Sequence, residues 1–352
     1  MTMVCRHFGV CGGCAHQDMA DAEYRMLKRK LVVDALSRHG VAATVSDVVE
    51  VPPGTRRRAS LKAKKGDGGA LLGFHAAQSH NIVDMLECLV LSPALSVLVP
   101  RLREMLTSLL RPRETTNLHL TETATGVDLS FRWSRQNDSV TLAELARWAT
   151  KLGLARVSAH NETVIELVRP SVRFGRADVL VPLDAFLQPT CEGEAILQTF
   201  VRDALSGAKR VADLFAGCGT FTLPLAEASR VHAVEIEASM LDALAGAART
   251  TSGLKPVTTE KRNLFHRPLG ESELAQFDAV VLDPPRAGAL AQVQMLARSK
   301  IKRVAYVSCD AGSFARDARV MIDGGLRLGN VVPIDQFLWS SHIELAASFE
   351  RA

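Results

Sequence analysis

Cys309 follows the apolar run Val304-Ala305-Tyr306-Val307 and Ser308, and a thiol so placed has the makings of a nucleophile. The run reads as a buried strand. Open α/β sheets carry their chemistry beyond the carboxyl ends of such strands. An earlier run, Ala279-Val280-Val281-Leu282, ends in Asp283-Pro284-Pro285-Arg286, which brings a carboxylate to the same expected edge. A third, Val211 to Phe215, opens into Ala216-Gly217-Cys218-Gly219-Thr220, where the glycines let a ligand approach the backbone. Val231-His232-Ala233-Val234 ends in Glu235, an acid suited to accepting hydrogen bonds from ribose hydroxyls. Nicotinamide-binding sheets share a glycine loop and an acid. Here the third glycine is absent and Asp213 stands at the start, which better suits a nucleoside cofactor without a pyrophosphate, such as S-adenosylmethionine.

A second group of thiols points to metal. Of the seven cysteines, Cys5, Cys11 and Cys14 crowd the start of the chain, in the pattern Cys5-x5-Cys11-Gly12-Gly13-Cys14, and Cys88 stands apart. An odd count argues against a disulfide framework. Two glycines between ligands allow a tight turn that aims both sulfurs at one centre. Four thiolates suit zinc or an iron–sulfur cluster, and the spacing leaves both open. Cys191 and Cys218 read as small packing residues.

These residues need elements to hold them. Residues 18–39 have the pattern of an amphipathic helix stopped by Gly40. The most basic stretch, Arg56-Arg57-Arg58-Ala59-Ser60-Leu61-Lys62-Ala63-Lys64-Lys65, alternates like a strand with one charged face. Gly66-Asp67-Gly68-Gly69 turns it back into Leu71-Leu72-Gly73-Phe74, so the pair forms a basic ribbon suited to a phosphate backbone. Short strands and one helix (141–152) are expected up to residue 180. A helix over 184–206, with Gln188 near its start, then leads into alternating strands and helices. The expected fold is α/β: a C-terminal doubly wound Rossmann-like domain (181–352) preceded by an α+β region (1–180). The net charge of +4 permits nucleic-acid binding without requiring it. No run approaches ~20 apolar residues, and Met1-Thr2-Met3-Val4 begins no signal core, so a cytoplasmic, non-membrane protein is expected.

Taken together, the motifs resemble those of the iron–sulfur RNA (uracil-5-)-methyltransferases. The resemblance rests on Cys5-x5-Cys11-Gly-Gly-Cys14-x2-Gln17, Arg56-Arg57-Arg58-Ala59, Leu72-Gly73-Phe74, Ser79 to Asp84 with Cys88, and Phe186-Leu187-Gln188-Pro189. It continues through Asp213 to Leu225, Asp283-Pro284-Pro285-Arg286-Ala287-Gly288, Ser308-Cys309 and His342-Ile343-Glu344. It implies a [4Fe–4S] cluster on Cys5, Cys11, Cys14 and Cys88, and an RNA-binding first half. It implies S-adenosylmethionine contacts at Gln188, Phe215, Thr220, Glu235, Asn263 and Asp283. It further implies Cys309 as nucleophile and Glu344 as base, with ribosomal RNA favoured over transfer RNA. A monomer is expected. The implied chemistry explains the thiol. Attack on carbon 6 of uracil turns carbon 5 into an enolate carbon able to accept a methyl group. His342 is a candidate to orient Glu344, and Phe337 or Trp339 to stack on a base taken out of its stack.

The chain departs from the family pattern at three places. Asp310-Ala311 follows the nucleophile in place of Asn-Pro, which is expected to loosen the turn and raise the Cys309 pKa. Phe337-Leu338-Trp339-Ser340 replaces Phe-Pro-His-Thr, and Leu89 replaces a proline. The small N-terminal β-barrel of many relatives is not recognised. Two rival classes are an RNA amino-methyltransferase built on Asp283-Pro284-Pro285 and a non-catalytic RNA-binding protein. The pairing of Cys309 with Glu344 argues against both.

Overall fold

The computed structural model describes residues 4–351. Met1–Met3, part of the stretch read for a signal core, and Ala352 lie outside the described residues. The first part of the chain forms α1 (Asp21–Arg38), β1 (Val49–Glu50), β2 (Arg58–Gly66), β3 (Gly69–Gly73), α2 (Pro93–Leu109), β4 (Thr115–Thr123) and β5 (Gly126–Trp133). It continues through α3 (Ser139–Leu152), β6 (Arg156–Ala159), β7 (Glu162–Glu166), β8 (Ser171–Phe174) and β9 (Ala177–Leu180). Next come α4 (Cys191–Ala204), β10 (Arg210–Leu214), α5 (Thr222–Ala226), β11 (Arg230–Glu235), α6 (Ala238–Thr250), β12 (Val257–Lys261) and α7 (Glu271–Leu274). The chain ends with β13 (Ala279–Leu282), α8 (Leu290–Arg298), β14 (Arg303–Ser308), α9 (Ala311–Asp323), β15 (Leu326–Asp335) and β16 (Glu344–Arg351). No described helix is long and apolar enough to cross a membrane.

The larger sheet has the order β1-β15-β16-β14-β13-β10-β11-β12. Strands β10 to β14 are mutually parallel, as their continuous apolar runs predict. After β12 the chain returns past β10 to add β13 and β14 on its other side, so β10 marks the switch point where a crevice opens. Strand β16 runs antiparallel between β14 and β15, pairing Ser308 with Leu345 and Ile334 with Glu344. That register brings the residue after β14 beside the first residue of β16.

The smaller sheet, β3-β2-β4-β5-β6-β7, covers one face with α2 and α3 through Leu61, Leu72, Leu102, Phe131 and Trp148. The alternation expected in β2 is present: Ala59, Leu61 and Ala63 are buried while Ser60 and Lys64 are exposed. Helix α2 is not foreseen in the sequence reading. It starts at Ser92, whose side chain caps Leu95 N–H, with Pro93 at its first position.

The regions expected at 1–180 and 181–352 interleave. Helix α1 buries Val32, Ala35 and Leu36 in the core of the larger sheet, and β1 pairs with β15. Gly40 ends α1 as predicted, in left-handed conformation (φ +65°), with Val41 N–H bonded to Leu36 C=O. The helix expected from 184 starts only at Cys191. Pro189 disfavours helical backbone at Gln188, and Thr190 supplies the cap by accepting from Gly193 N–H. Gln188 is therefore held in an extended segment leading into the helix.

Candidate active site and cysteine cavity

Asp283, Cys309 and Glu344 meet at one edge of the larger sheet because β13 and β14 end there and β16 begins there. Glu344 is buried, and burial pushes its carboxyl up to about 8, opposed by a hydrogen bond from Gln336. Asp283 is raised well above the carboxylate range, first by burial and then by the charges of Glu344 and Asp213. The Cys309 thiol is raised to about 12 by burial, then by Glu344 and Asp283, with Arg286 opposing. A thiol and two carboxyl groups thus share one poorly solvated site and compete for protons.

Asp310 is occupied differently from the expectation at this position. It caps α9 by accepting from Ser313 N–H at 2.8 Å, and Arg286 lies 3.6 Å from its other oxygen. Ser308 Oγ bonds both backbone groups of Asp310. The turn after Cys309 is therefore tied down without a proline, and the thiol is raised chiefly by burial, Glu344 and Asp283.

Gln336, which the sequence reading does not single out, completes a chain of amides between the two carboxyl groups. Its Nε2 donates to Gln188 Oε1 at 2.8 Å and to Glu344 Oε2 at 3.1 Å, and Gln188 Nε2 reaches Asp283 Oδ2 at 3.4 Å. The bond to Glu344 comes from Gln336, while the ring of His342, the expected orienting residue, packs at 71° to that of Phe337 with centroids 6.1 Å apart.

On the other side of the switch point, Glu235 accepts from Gly217 N–H through one oxygen and from Ile236 and Glu237 N–H through the other. Phe215 adopts φ +65°, bonds Val234 C=O through its N–H, and lies 5.5 Å from the Phe265 ring. Asn263 holds Phe265 N–H through Oδ1, which sets the loop after β12. Thr220 follows Gly219, whose φ of +104° and closeness to Leu244 (2.5 Å from a Cβ built there) require glycine. Asp213 is fully buried, accepts from Thr222 Oγ1, and is raised to about 7 mainly by burial. Phe215, Glu235 and Asp283 thus stand at the ends of β10, β11 and β13, Thr220 and Asn263 lie in the loops after β10 and β12, and Gln188 reaches Asp283 from the segment before α4.

The arginines of the basic segment face inward. Arg57 is buried, pairs with Glu194 and donates to Gln188 C=O at 2.9 Å, while Arg58 donates to Leu187 and Ala185 C=O and stacks on Phe186. They clamp the segment carrying Gln188 and are not free for phosphate. A run of charge in sequence does not reveal this, because the acid it meets lies on α4. Ser60, Lys62 and Lys64 keep the polar face expected of the ribbon.

Cys5, Cys11, Cys14 and Cys88 line one cavity of about 310 Å³ with Phe8, Phe74, Met85 and Arg56. Gly13 N–H points to Cys11 Sγ and His7 N–H to Cys5 Sγ, both at 3.4 Å, as donors do around bound thiolates. A Cβ on Gly12 would stand 3.0 Å from His75 C=O, so the turn between Cys11 and Cys14 needs its glycine. Among the described residues, no three His, Cys, Asp or Glu side chains are grouped to hold a metal ion. The four thiols nonetheless line one cavity, the chemistry of donor that an iron–sulfur cluster takes.

The cavity adjoins the sheet edge that carries Cys309 and Glu344. Phe337, Ser340 and His342, from the loop between β15 and β16, also line it. Trp339 in that loop has φ +56°, accepts from Ala15 and His16 N–H and donates to Tyr24 Oη at 2.7 Å. Such backbone persists only where its surroundings hold it.

Residues 180–352 match the tRNA (Uracil-5-)-methyltransferase family. The chain is 43% identical to an uncharacterized RNA methyltransferase of Rhizobium meliloti (strain 1021), covering 99% of this chain and 85% of that protein. It is 34% identical to the 23S rRNA (uracil(1939)-C(5))-methyltransferase RlmD of Halomonas elongata, covering 97% and 74%. The structure of Pyrococcus abyssi tRNA (uracil-54, C5)-methyltransferase with S-adenosyl-L-homocysteine shares the fold, with TM-score 0.73 and 21% identity over 97% of this chain and 86% of that one.

Proposed function

The chain belongs to the RNA (uracil-5-)-methyltransferase family, an S-adenosylmethionine-dependent enzyme family, and from that premise we propose that it methylates carbon 5 of a uridine in 23S ribosomal RNA. The observation that carries the reading is the meeting of Cys309, Glu344 and Asp283 at the end of three adjoining strands. The ribosomal assignment draws on the similarity to the Halomonas elongata enzyme. Transfer RNA is the alternative substrate, as the name of the matching family indicates.

In this reading Gln188, Phe215, Thr220, Glu235, Asn263 and Asp283 hold S-adenosylmethionine, which supplies an electrophilic methyl group. Cys309 gives its proton to the neighbouring Asp283 carboxylate and bonds to carbon 6 of uracil, the ring electrons move to oxygen 4, and the resulting enolate takes the methyl at carbon 5 as the methyl–sulfonium bond breaks to release S-adenosylhomocysteine. Glu344 then removes the carbon 5 proton, the double bond re-forms, and the sulfur leaves as thiolate. Arg286 is the cation of the chain that favours that thiolate. The carboxyl of Glu344, held near 8, is matched to accepting a proton close to neutral pH. Cys5, Cys11, Cys14 and Cys88 would hold a [4Fe–4S] cluster, which would tie the start of the chain to Cys88 across a long loop. A 1–180 RNA-binding region and a 181–352 catalytic domain remain a useful functional division, although their elements interleave.

The test uses anaerobically prepared protein with S-adenosylmethionine and 5-fluorouridine-substituted 23S ribosomal RNA or transfer RNA. Fluorine at carbon 5 blocks elimination, so a denaturation-resistant adduct is expected with ribosomal RNA and none with Cys309→Ala. An adduct with transfer RNA alone reassigns the substrate. No adduct with either removes the thiol mechanism.

A further inference from the structure

Gln336 follows the last residue of β15, and Glu344 is the first residue of β16, two strands that pair Ile334 with Glu344. Both side chains are 2% exposed. The orientation of the Gln336 amide follows from its neighbours. Gln188 Oε1 must accept, because Gln188 Nε2 faces Asp283, and Glu344 Oε2 accepts as a carboxylate oxygen. Both therefore meet the Gln336 nitrogen. Its Oε1 is buried and without a hydrogen-bond partner among the described residues. That oxygen sits over the first turn of α4, where a Cβ built on Gly193 would lie only 2.4 Å away. The positive end of a helix favours a carbonyl oxygen there, and only glycine leaves it room.

We propose that Gln336 is a positioning residue for the final proton transfer: it occupies Glu344 Oε2, leaves Oε1 as the atom that receives the carbon 5 proton, and holds the carboxylate in place for that transfer. The proposal rests on Glu344 being the base. With its nitrogen engaged by two acceptors and its oxygen enclosed by α4, the amide has nothing left to offer the substrate. Its effect must pass through Glu344 and Gln188. The charged and titratable groups facing this corner are Asp283 and Cys309 from the ends of β13 and β14, with Asp213 behind Asp283. Arg286 is the cation nearby, and it acts on Cys309. Against burial, the Gln336 donor is the group that favours Glu344 in its charged form.

The test follows a single turnover on unmodified RNA across a pH series, scoring the covalent methylated adduct on denaturing gels. Glu344→Gln is expected to accumulate adduct at every pH. Gln336→Met, similar in volume but lacking a donor, is expected at saturating S-adenosylmethionine to accumulate adduct and to resolve it about tenfold more slowly at pH 7. Its profile should move about one unit to higher pH. Gly193→Ala should shift the profile the same way, and should add nothing to Gln336→Met. Resolution by Gln336→Met with the wild-type profile overturns the proposal, and Gly193→Ala carries the same readout if that variant does not fold. If Glu344→Gln accumulates no adduct, the base assignment fails and the proposal falls with it, a result distinct from an unshifted Gln336→Met profile.

Discussion

Lys28 Nζ lies 2.9 Å from Asp335 Oδ1, and both side chains are fully buried. The same ammonium donates to the carbonyls of Phe337 and His342, the two ends of the loop that precedes Glu344. Tyr24, one turn earlier on α1, bonds the other Asp335 oxygen and receives Trp339 N–H. Burial pulls the lysine pKa down, and Asp335 opposes that pull. Helix α1 therefore fastens the loop that leads to Glu344, as the Ala15–His16 backbone also does.

Removing one partner leaves the other charge buried. Lys28→Met is expected to cost about 3–5 kcal/mol of stability, read by denaturant unfolding. The double variant Lys28→Met/Asp335→Asn should cost clearly less than the sum of the two single variants.

Glu344 makes stability depend on pH. Its carboxyl is near 8 in the folded protein and near 4.5 as its ordinary value, so the folded state binds the proton more tightly. The unfolded state binds fewer protons between these values, and the contribution of Glu344 to stability is lost as pH rises through that window. Below the ordinary value it is fully present. Denaturation midpoints measured from acid to mildly alkaline pH are expected to fall more steeply in the wild-type protein than in Glu344→Gln.

The two halves of the basic segment should respond differently to substitution. Lys62→Ala/Lys64→Ala is expected to weaken RNA binding and to flatten its salt dependence, the slope falling by roughly one for each phosphate no longer neutralised, measured by titration at several salt concentrations. Arg57→Ala leaves Glu194 buried without its cation and frees the Gln188 segment. It should reduce stability and S-adenosylmethionine affinity without changing the salt slope.

Gly73 is closed in by backbone: an added Cβ would stand 2.1 Å from Val83 C=O and 2.9 Å from Met85 Cβ. Gly73→Ala must push away the segment that runs on to Cys88. With the [4Fe–4S] cluster proposed for this cavity, the expected result is a lower iron-to-protein ratio and a weaker cluster absorbance after anaerobic purification.

Much of the candidate site is legible in the residues. Asp283, Cys309, Gly217 and Glu235 each end or follow a run of apolar residues, and in a parallel sheet every such end falls on one edge. The cysteine spacing likewise anticipates thiols that line one cavity. Gln336 is invisible at that level, because it follows β15 within no motif and acquires meaning only from Gln188 and Glu344 across the fold. The basic run misleads for the same reason. Nothing near Arg57 in sequence indicates that Glu194 awaits it in the interior.

By itself, the sequence determined the periodic elements, the glycine turns and the reactive side chains at strand ends, since these depend on local backbone preference and on apolar pattern. Tertiary structure alone decided which polar groups are buried and what they face. It turned Arg57 from a surface cation into a clamp, set Lys28 on Asp335 beneath the loop, and joined Asp283 to Glu344 through two amides. The physical reason is that proton affinity and hydrogen bonding depend on desolvation and on neighbours brought from distant segments, which no local pattern encodes.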